Sequence, residues 1–214
     1  MAQSFSVSFT VGLYGIAFGA AGIAAGFSIL QTCLLSLLTF SGASQFAVVG
    51  VIGSGGSAVS GIATASLLGI RNGLYGLRMA PILKVRNLKR VIAAQITIDE
   101  STGVAIGQED RGEAAMKLGF WLTGFGVYFF WNLFTVVGAV SAQAIGNPSA
   151  FGLDAAVPAA FLGLVWPRLH GNFERGLAIG AVLLALLLTP FVAAGIPIIA
   201  TTLIAVIFGW KARS

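Results

Sequence analysis

The chain has 214 residues, 57% hydrophobic and 9% charged, with a formal net charge of +5. Soluble domains average about 25% charged residues, so this chain has too few to coat a water-facing surface. Its 29 glycines lie inside apolar runs, which argues against a disordered or collagen-like chain and leaves an all-α integral membrane protein.

A transmembrane helix needs about 20 mainly apolar residues. Seven stretches meet or approach that length: 5–26, 29–52, 57–81, 116–140, 151–166, 175–194 and 196–210. Residues 1–70 hold no Asp, Glu, Lys or Arg. The start has no basic leader and its apolar run exceeds a signal-peptide core, so no secretory signal is expected. On the first span, Gly12, Gly15, Gly19, Gly22 and Gly26 recur at spacings of three and four. Such a face lets a second backbone approach closely, and tight packing is its expected role.

The second span carries SGASQF at 41–46. Small and polar residues at mid-span lower helix propensity and can release backbone groups into the bundle. A helix broken there can bind a carboxylate or a cation. Ser41, Gly42, Ala43, Ser44, Gln45 and Phe46 are therefore candidate substrate-binding residues, with Gln45 as a neutral donor and acceptor. The competing account is a continuous helix whose small residues pack.

On the third span, Arg71, Tyr75 and Arg78 share a helix face, with Asn72 adjoining. Arg78 is shallow enough to snorkel. Arg71 lies about 15 Å deeper. An arginine at the centre of a span costs about 2.5–3.5 kcal/mol, so it needs a cavity or a partner. Arg71, Asn72 and Tyr75 join the substrate-binding set; a buried ion pair joining two helices is the alternative for Arg71.

Lys84, Arg86, Lys89 and Arg90 form a short basic loop expected in the cytoplasm. Arg168 with Arg175, and Lys211 with Arg213, mark further cytoplasmic segments. All three sit on one side only if residues 91–107 do not cross, so 82–115 is read as a cytoplasmic or re-entrant connector. Asp99 and Glu100 within it are a solvated pair, a counter-charge for Arg71 or proton carriers. Phe120, Trp121, Tyr128, Phe129, Trp131 and Phe134 of the fourth span are assigned to packing or lipid. Asp154, ahead of Pro158, is an N-cap or a third candidate for charge and proton coupling.

This reading describes one transmembrane domain with its N-terminus outside and its C-terminus inside. Residues 4–81 and 116–194 form two three-helix units of opposite orientation with interrupted helices, and 196–210 is a last helix. Setting Phe46 against Phe161 aligns the second helices of the units. Inverted units of this kind are a plan of secondary transporters.

Single copies of Cys33 and His170 remove an internal disulfide and a zinc cluster. No G-x-x-x-x-G-K-[ST] run is present, so no nucleotide site is expected. No nucleophile–base pair stands out; neither an enzyme activity nor a cofactor, catalytic residue or metal is expected. The basic balance marks lipid headgroups and the cytoplasmic side rather than nucleic acid.

SGASQFAVVG, the RNGLYGLRMAP stretch at 71–81, TIDES and GLDAAVPAAF together resemble the AzlC family, the large subunit of branched-chain amino acid export permeases. The resemblance covers nearly the whole chain. It departs from the family pattern at Asn72, where histidine is common, and at the start, where a basic region is frequent. It implies secondary active export of valine, leucine and isoleucine, with methionine as a further substrate, across the bacterial cytoplasmic (inner) membrane. It also implies a small hydrophobic AzlD-type subunit as partner. A zwitterion needs donors, an acceptor and an apolar pocket; the 41–45 break with Arg71, Asp99 or Asp154, and Phe46, Val48 and Phe161 meet those needs. With no nucleotide site, the proton gradient supplies the energy. The rival classes are a passive pore and a structural membrane subunit.

Overall fold

The computed structural model describes residues 1–146, 156–166 and 169–211. Every regular element among them is helical: α1 (Ala2–Ala24), α2 (Ile29–Leu38), α3 (Gly42–Gly53), α4 (Ala58–Leu83), α5 (Asn87–Gln95), α6 (Asp99–Ile106), α7 (Glu113–Ile145), α8 (Ala156–Val165), α9 (Asn172–Leu188) and α10 (Ile196–Lys211). A single 3₁₀ turn, Glu109–Arg111, precedes α7.

The fold is organised on α1 and α7, both long and apolar enough to cross a bilayer. They pack side by side with their backbones in contact. A Cβ at Gly15 would strike the Trp131 carbonyl, one at Gly19 the Thr135 carbonyl, and one at Gly138 the Ile16 carbonyl. Lipid supplies no hydrophobic drive between helices, so close van der Waals fit of this kind holds them together. The glycine face expected on the first span is therefore used as packing through Gly12, Gly15 and Gly19, while Gly22 meets Thr32 of α2. Gly26 stands apart: its φ of 88° makes the turn into α2.

The pairing order gives the direction. Ser8 Oγ donates to the Thr123 carbonyl at 3.3 Å, Phe9 meets Phe130 with ring centroids 5.5 Å apart, and Gly19 lies against Thr135 and Ala139. Residue numbers rise together, so α1 and α7 run parallel.

The single span expected over 29–52 is instead two short helices running in opposite directions. A capping box between Ser28 and Gln31 opens α2 near the far end of α1. The helix then runs back along the bundle, bringing Ser36 Oγ within 3.4 Å of Thr135 Oγ1. The chain turns at 39–41. α3 returns the way α2 came, from Gly42 against Trp131 to Gly53 against Ala25. At 10 and 12 residues the two helices are about 15–18 Å long, enough to reach half-way through a bilayer core and return.

α4 then runs the full length, from Ser57, whose side chain accepts from the Ser60 N–H, to Lys84 beside Glu113. The connector makes a second half-length hairpin from that opposite end. α5 rises until Gln95 Nε2 reaches the Leu37 carbonyl at 2.9 Å, and α6 descends until Gln108 meets Gln3, also at 2.9 Å. Residues 91–107 thus fold back into the bundle, with Ser101 and Ala105 wholly buried.

These two hairpins change the topology. Each returns the chain to the end it left, so α7 starts at the same end as α1. The expected opposition of 4–81 and 116–194 counted 29–52 as a crossing; without it, the leading helices of the two units are parallel. α8 packs on α1 and α3, placing Phe161 edge-on to Phe46 at 6.0 Å. α9 and α10 pack on each other, and Gly195 between them sits against Val51 and Ser60.

Candidate functional site

The two hairpin tips meet in the middle of the bundle, and a cavity of about 250 Å³ lies between them. Phe40, Ser41, Gly42, Ala43 and Phe46 line it from the first hairpin, and Ile98, Asp99 and Glu100 from the second. α4 contributes Leu68, Arg71 and Asn72; α1 contributes Val11 and Tyr14; α7 contributes Val127 and Trp131; α8 contributes Phe161 and Val165.

A helix that ends at mid-depth leaves carbonyls that water cannot reach, and each must find a donor. At the end of α2 those donors are side chains. Gln45 Nε2 donates to the Thr39 carbonyl at 2.9 Å and the Ser36 carbonyl at 3.2 Å. Gln95 Nε2 and Tyr128 Oη both donate to the Leu37 carbonyl, and Gln95 also reaches Leu38 at 3.4 Å. The remaining polar atom of Gln45, Oε1, accepts from Trp131 Nε1 at 2.9 Å. The second hairpin closes locally: Thr97 Oγ1 donates to the Ala93 carbonyl, and Ser101 Oγ donates to Ile96 and accepts from the Ile98 N–H.

The cavity's charge is set by Arg71, at the middle of α4, whose Nη1 lies 3.1 Å from Asp99 Oδ2. The two side chains retain 33% and 20% exposure, so the pair faces the cavity rather than closed protein. Two helix N-termini are directed there. α3 starts at Gly42, so the N–H groups of Gly42 and Ala43 have no intrahelical acceptor. α6 starts at Asp99, and Asp99 with Glu100 occupies its first turn, where carboxylates are favoured by the helix dipole. Ser41 Oγ, Arg71 Nε and Asn72 Oδ1 are buried atoms without a hydrogen-bond partner among the described residues. Unmet donors, a cation, carboxylates and an aromatic wall surround one space. That combination can hold a small zwitterion with an apolar side chain.

Of the residues expected at the site, the fold brings Ser41, Gly42, Ala43, Phe46, Arg71, Asn72, Asp99 and Glu100 to this cavity. Gln45 and Ser44 are not on its wall. Gln45 is wholly buried and spent on the α2 carbonyls and Trp131, while Ser44 Oγ donates to the Ala65 carbonyl at 2.9 Å. Val48 is buried in α3 away from the lining, and Tyr75, two turns of α4 from Leu68, is half-buried outside it. Asp154 lies outside the described residues. Trp131 and Tyr128, read from the sequence as packing, cap or line the site; no local signal marks them, because their partners are about 90 residues away. Among the described residues no group of three His, Cys, Asp or Glu side chains is placed to hold a metal ion.

Outside the cavity, a charged cluster sits at the end where α4 stops and α7 starts. Glu113 bonds Lys117 at 2.7 Å and Lys84 at 2.8 Å, and these hydrogen bonds pull its carboxyl from an ordinary 4.5 to about 2.

The family model described as "AzlC protein" matches residues 6–145, which take in α1 to α7 and all the cavity except the α8 wall. The chain is 30% identical over 163 residues to "Inner membrane protein YgaZ" of Escherichia coli (strain K12), covering 73% of this chain and 63% of that protein. The match therefore spans less than two thirds of the Escherichia coli relative. It is also 30% identical over 182 residues to an "Uncharacterized membrane protein" of Archaeoglobus fulgidus, covering 84% of this chain and 79% of that protein. No solved structure matches. Family model, relatives and helical architecture agree: the chain is a membrane protein and belongs to the AzlC family.

Proposed function

We propose that this protein is a secondary active exporter of branched-chain amino acids, valine, leucine and isoleucine with methionine as a further substrate. It acts in the bacterial cytoplasmic (inner) membrane with a small hydrophobic AzlD-type subunit, and is driven by protons. The observation that carries this reading is the Arg71–Asp99 pair in a mid-depth cavity, next to the start of α3 and an aromatic wall. The substrate carboxylate takes Arg71 and the free N–H groups of Gly42 and Ala43. Its ammonium takes Asp99 and Glu100, and its side chain takes the Phe46–Phe161 side. A zwitterion that inserts this way replaces an internal ion pair by two charge-assisted contacts, so the net charge of the cavity is the same empty and loaded. Asp99, Glu100 and Asp154 are the candidate proton carriers.

In this reading α1, α4 and α7 are full crossings, and with the two re-entrant hairpins and α8 to α10 they form one transmembrane domain. The end carrying Lys84, Arg86, Lys89 and Arg90 is cytoplasmic by its basic charge, and the Gln3–Gln108 contact puts the N-terminus at that same end. This replaces the outside N-terminus that seven crossings require.

The test is radiolabelled leucine efflux from vesicles holding the chain and its small subunit, with and without a proton gradient. Arg71→Ala is expected to lower efflux at least tenfold. Removing one partner of a buried pair is costly and removing both is much cheaper. Arg71→Ala with Asp99→Ala therefore restores abundance while leaving efflux lost. Parental efflux by Arg71→Ala ends the proposal for this site. Flux that ignores the proton gradient supports a passive pore, and absence of any flux a structural subunit.

A further inference from the structure

We infer that Trp131 is the specificity-determining residue of the cavity, fixing how large an apolar side chain it accepts, and that Gln45 is the residue that positions it. This rests on the export reading above.

Trp131 lines the cavity from α7 and is 6% exposed. Its indole is confined on every side the structure describes. Nε1 donates to Gln45 Oε1 at 2.9 Å, while Phe18 stacks on the ring at 6.2 Å and Phe46 meets it edge-on at 6.3 Å. Gly42 at the hairpin tip comes so close that a Cβ there would lie 3.0 Å from Trp131 Cη2.

The Gln45 amide cannot turn to release the ring. Its Nε2 donates to two carbonyls while its Oε1 faces the indole N–H. A flip would set N–H against N–H and oxygen against two oxygens. The wall is therefore rigid, and a rigid apolar wall discriminates by size: one methylene is worth about ten- to two-hundredfold. Gly42 and Trp131 act as a matched pair, because the absent Cβ of one makes room for the ring of the other.

The experiment measures efflux of alanine, leucine and phenylalanine from vesicles containing the full chain and its small subunit. Trp131→Phe opens space and raises the phenylalanine-to-leucine ratio at least tenfold. Gly42→Ala pushes the ring into the cavity and lowers the leucine-to-alanine ratio. If both variants change all substrates by one common factor, Trp131 only packs and the inference is wrong. If the parental protein moves no amino acid, the export reading itself has failed, which is a different result.

A third measurement is independent of whether these variants accumulate. In a chain with Trp121, Trp166 and Trp210 changed to Phe, Trp131 is the only tryptophan, and its emission under red-edge excitation shifts as leucine saturates efflux. Unchanged emission at saturating leucine overturns the inference.

Discussion

The two half-length hairpins enter from opposite ends of the bundle and meet at their tips, yet they satisfy their broken backbones by different means. The α2–α3 tip depends partly on its own Gln45 and partly on side chains from other elements. Gln45 from the returning helix, Gln95 from the other hairpin and Tyr128 from α7 supply its donors. The α5–α6 tip uses Thr97 and Ser101, both within five residues of the carbonyls they cap. The difference follows composition. Gln45 caps the Ser36 and Thr39 carbonyls from within the first hairpin, but the Leu37 and Leu38 carbonyls take donors from α5 and α7, so full closure waits on tertiary contacts. The second carries its own hydroxyls and an acidic first turn, so it can close before it docks. A non-local cap also does something a local one does not: through Gln95 it ties one tip to the other, so the two halves of the cavity wall move together.

The sharpest way to break this comparison is topological. With Cys33 replaced by Ala, cysteines at Ser28 and Ser54 are expected to react with an impermeant reagent from one face only. Cysteines at Lys89 and Asp110 are expected to react from the opposite face only. A full crossing over 29–52 would instead separate Ser28 from Ser54, and a full crossing over 91–107 would separate Lys89 from Asp110.

The next largest effect is at the α2–α3 cap. Gln45→Leu keeps the bulk of the side chain but leaves the Ser36 and Thr39 carbonyls and the Trp131 N–H without partners. Each buried unsatisfied group costs about 1–3 kcal/mol, and relaxation relieves part of it, so a loss of about 2–3 kcal/mol is expected. Thermal unfolding of the purified protein, followed by Trp131 emission, measures it.

Ser101→Ala at the local cap removes one hydroxyl serving the Ile96 carbonyl and the Ile98 N–H. The expected loss is smaller, about 1–2 kcal/mol, by the same melt. If Ser101→Ala proves more damaging than Gln45→Leu, the contrast between the tips is wrong.

The smallest effect lies outside both hairpins. Glu113 has a folded-state pKa below its ordinary value, so its contribution is present above pH 4.5 and lost as pH falls from there through about 2. The group is exposed at the chain surface, where ion pairs are screened. Glu113→Gln is therefore expected to leave the melting temperature at pH 7 nearly unchanged, and to flatten whatever acid dependence appears between pH 4.5 and 2.

Membrane class, the break near Ser41, the depth of Arg71 and the family were all legible in the amino-acid sequence. Each depends on quantities that add along the chain: hydropathy over a window, the 1.5 Å rise per residue, the order of short motifs. The direction of the chain after a break is not such a quantity. α2 and α3 together are as long and apolar as one crossing, so the same 22 helical residues read identically whether they continue or fold back. Contacts between side chains decided that they fold back, with Gln45 capping the α2 carbonyls and Gln95, Tyr128 and Trp131 holding the tip from other elements. The same contacts turned Gln45 from an expected ligand into a strut. They made Trp131 a wall of the cavity, and the second hairpin delivered Asp99 to Arg71. A buried polar side chain takes whichever partner the completed fold presents, because leaving it unpaired costs more than any local preference can offset.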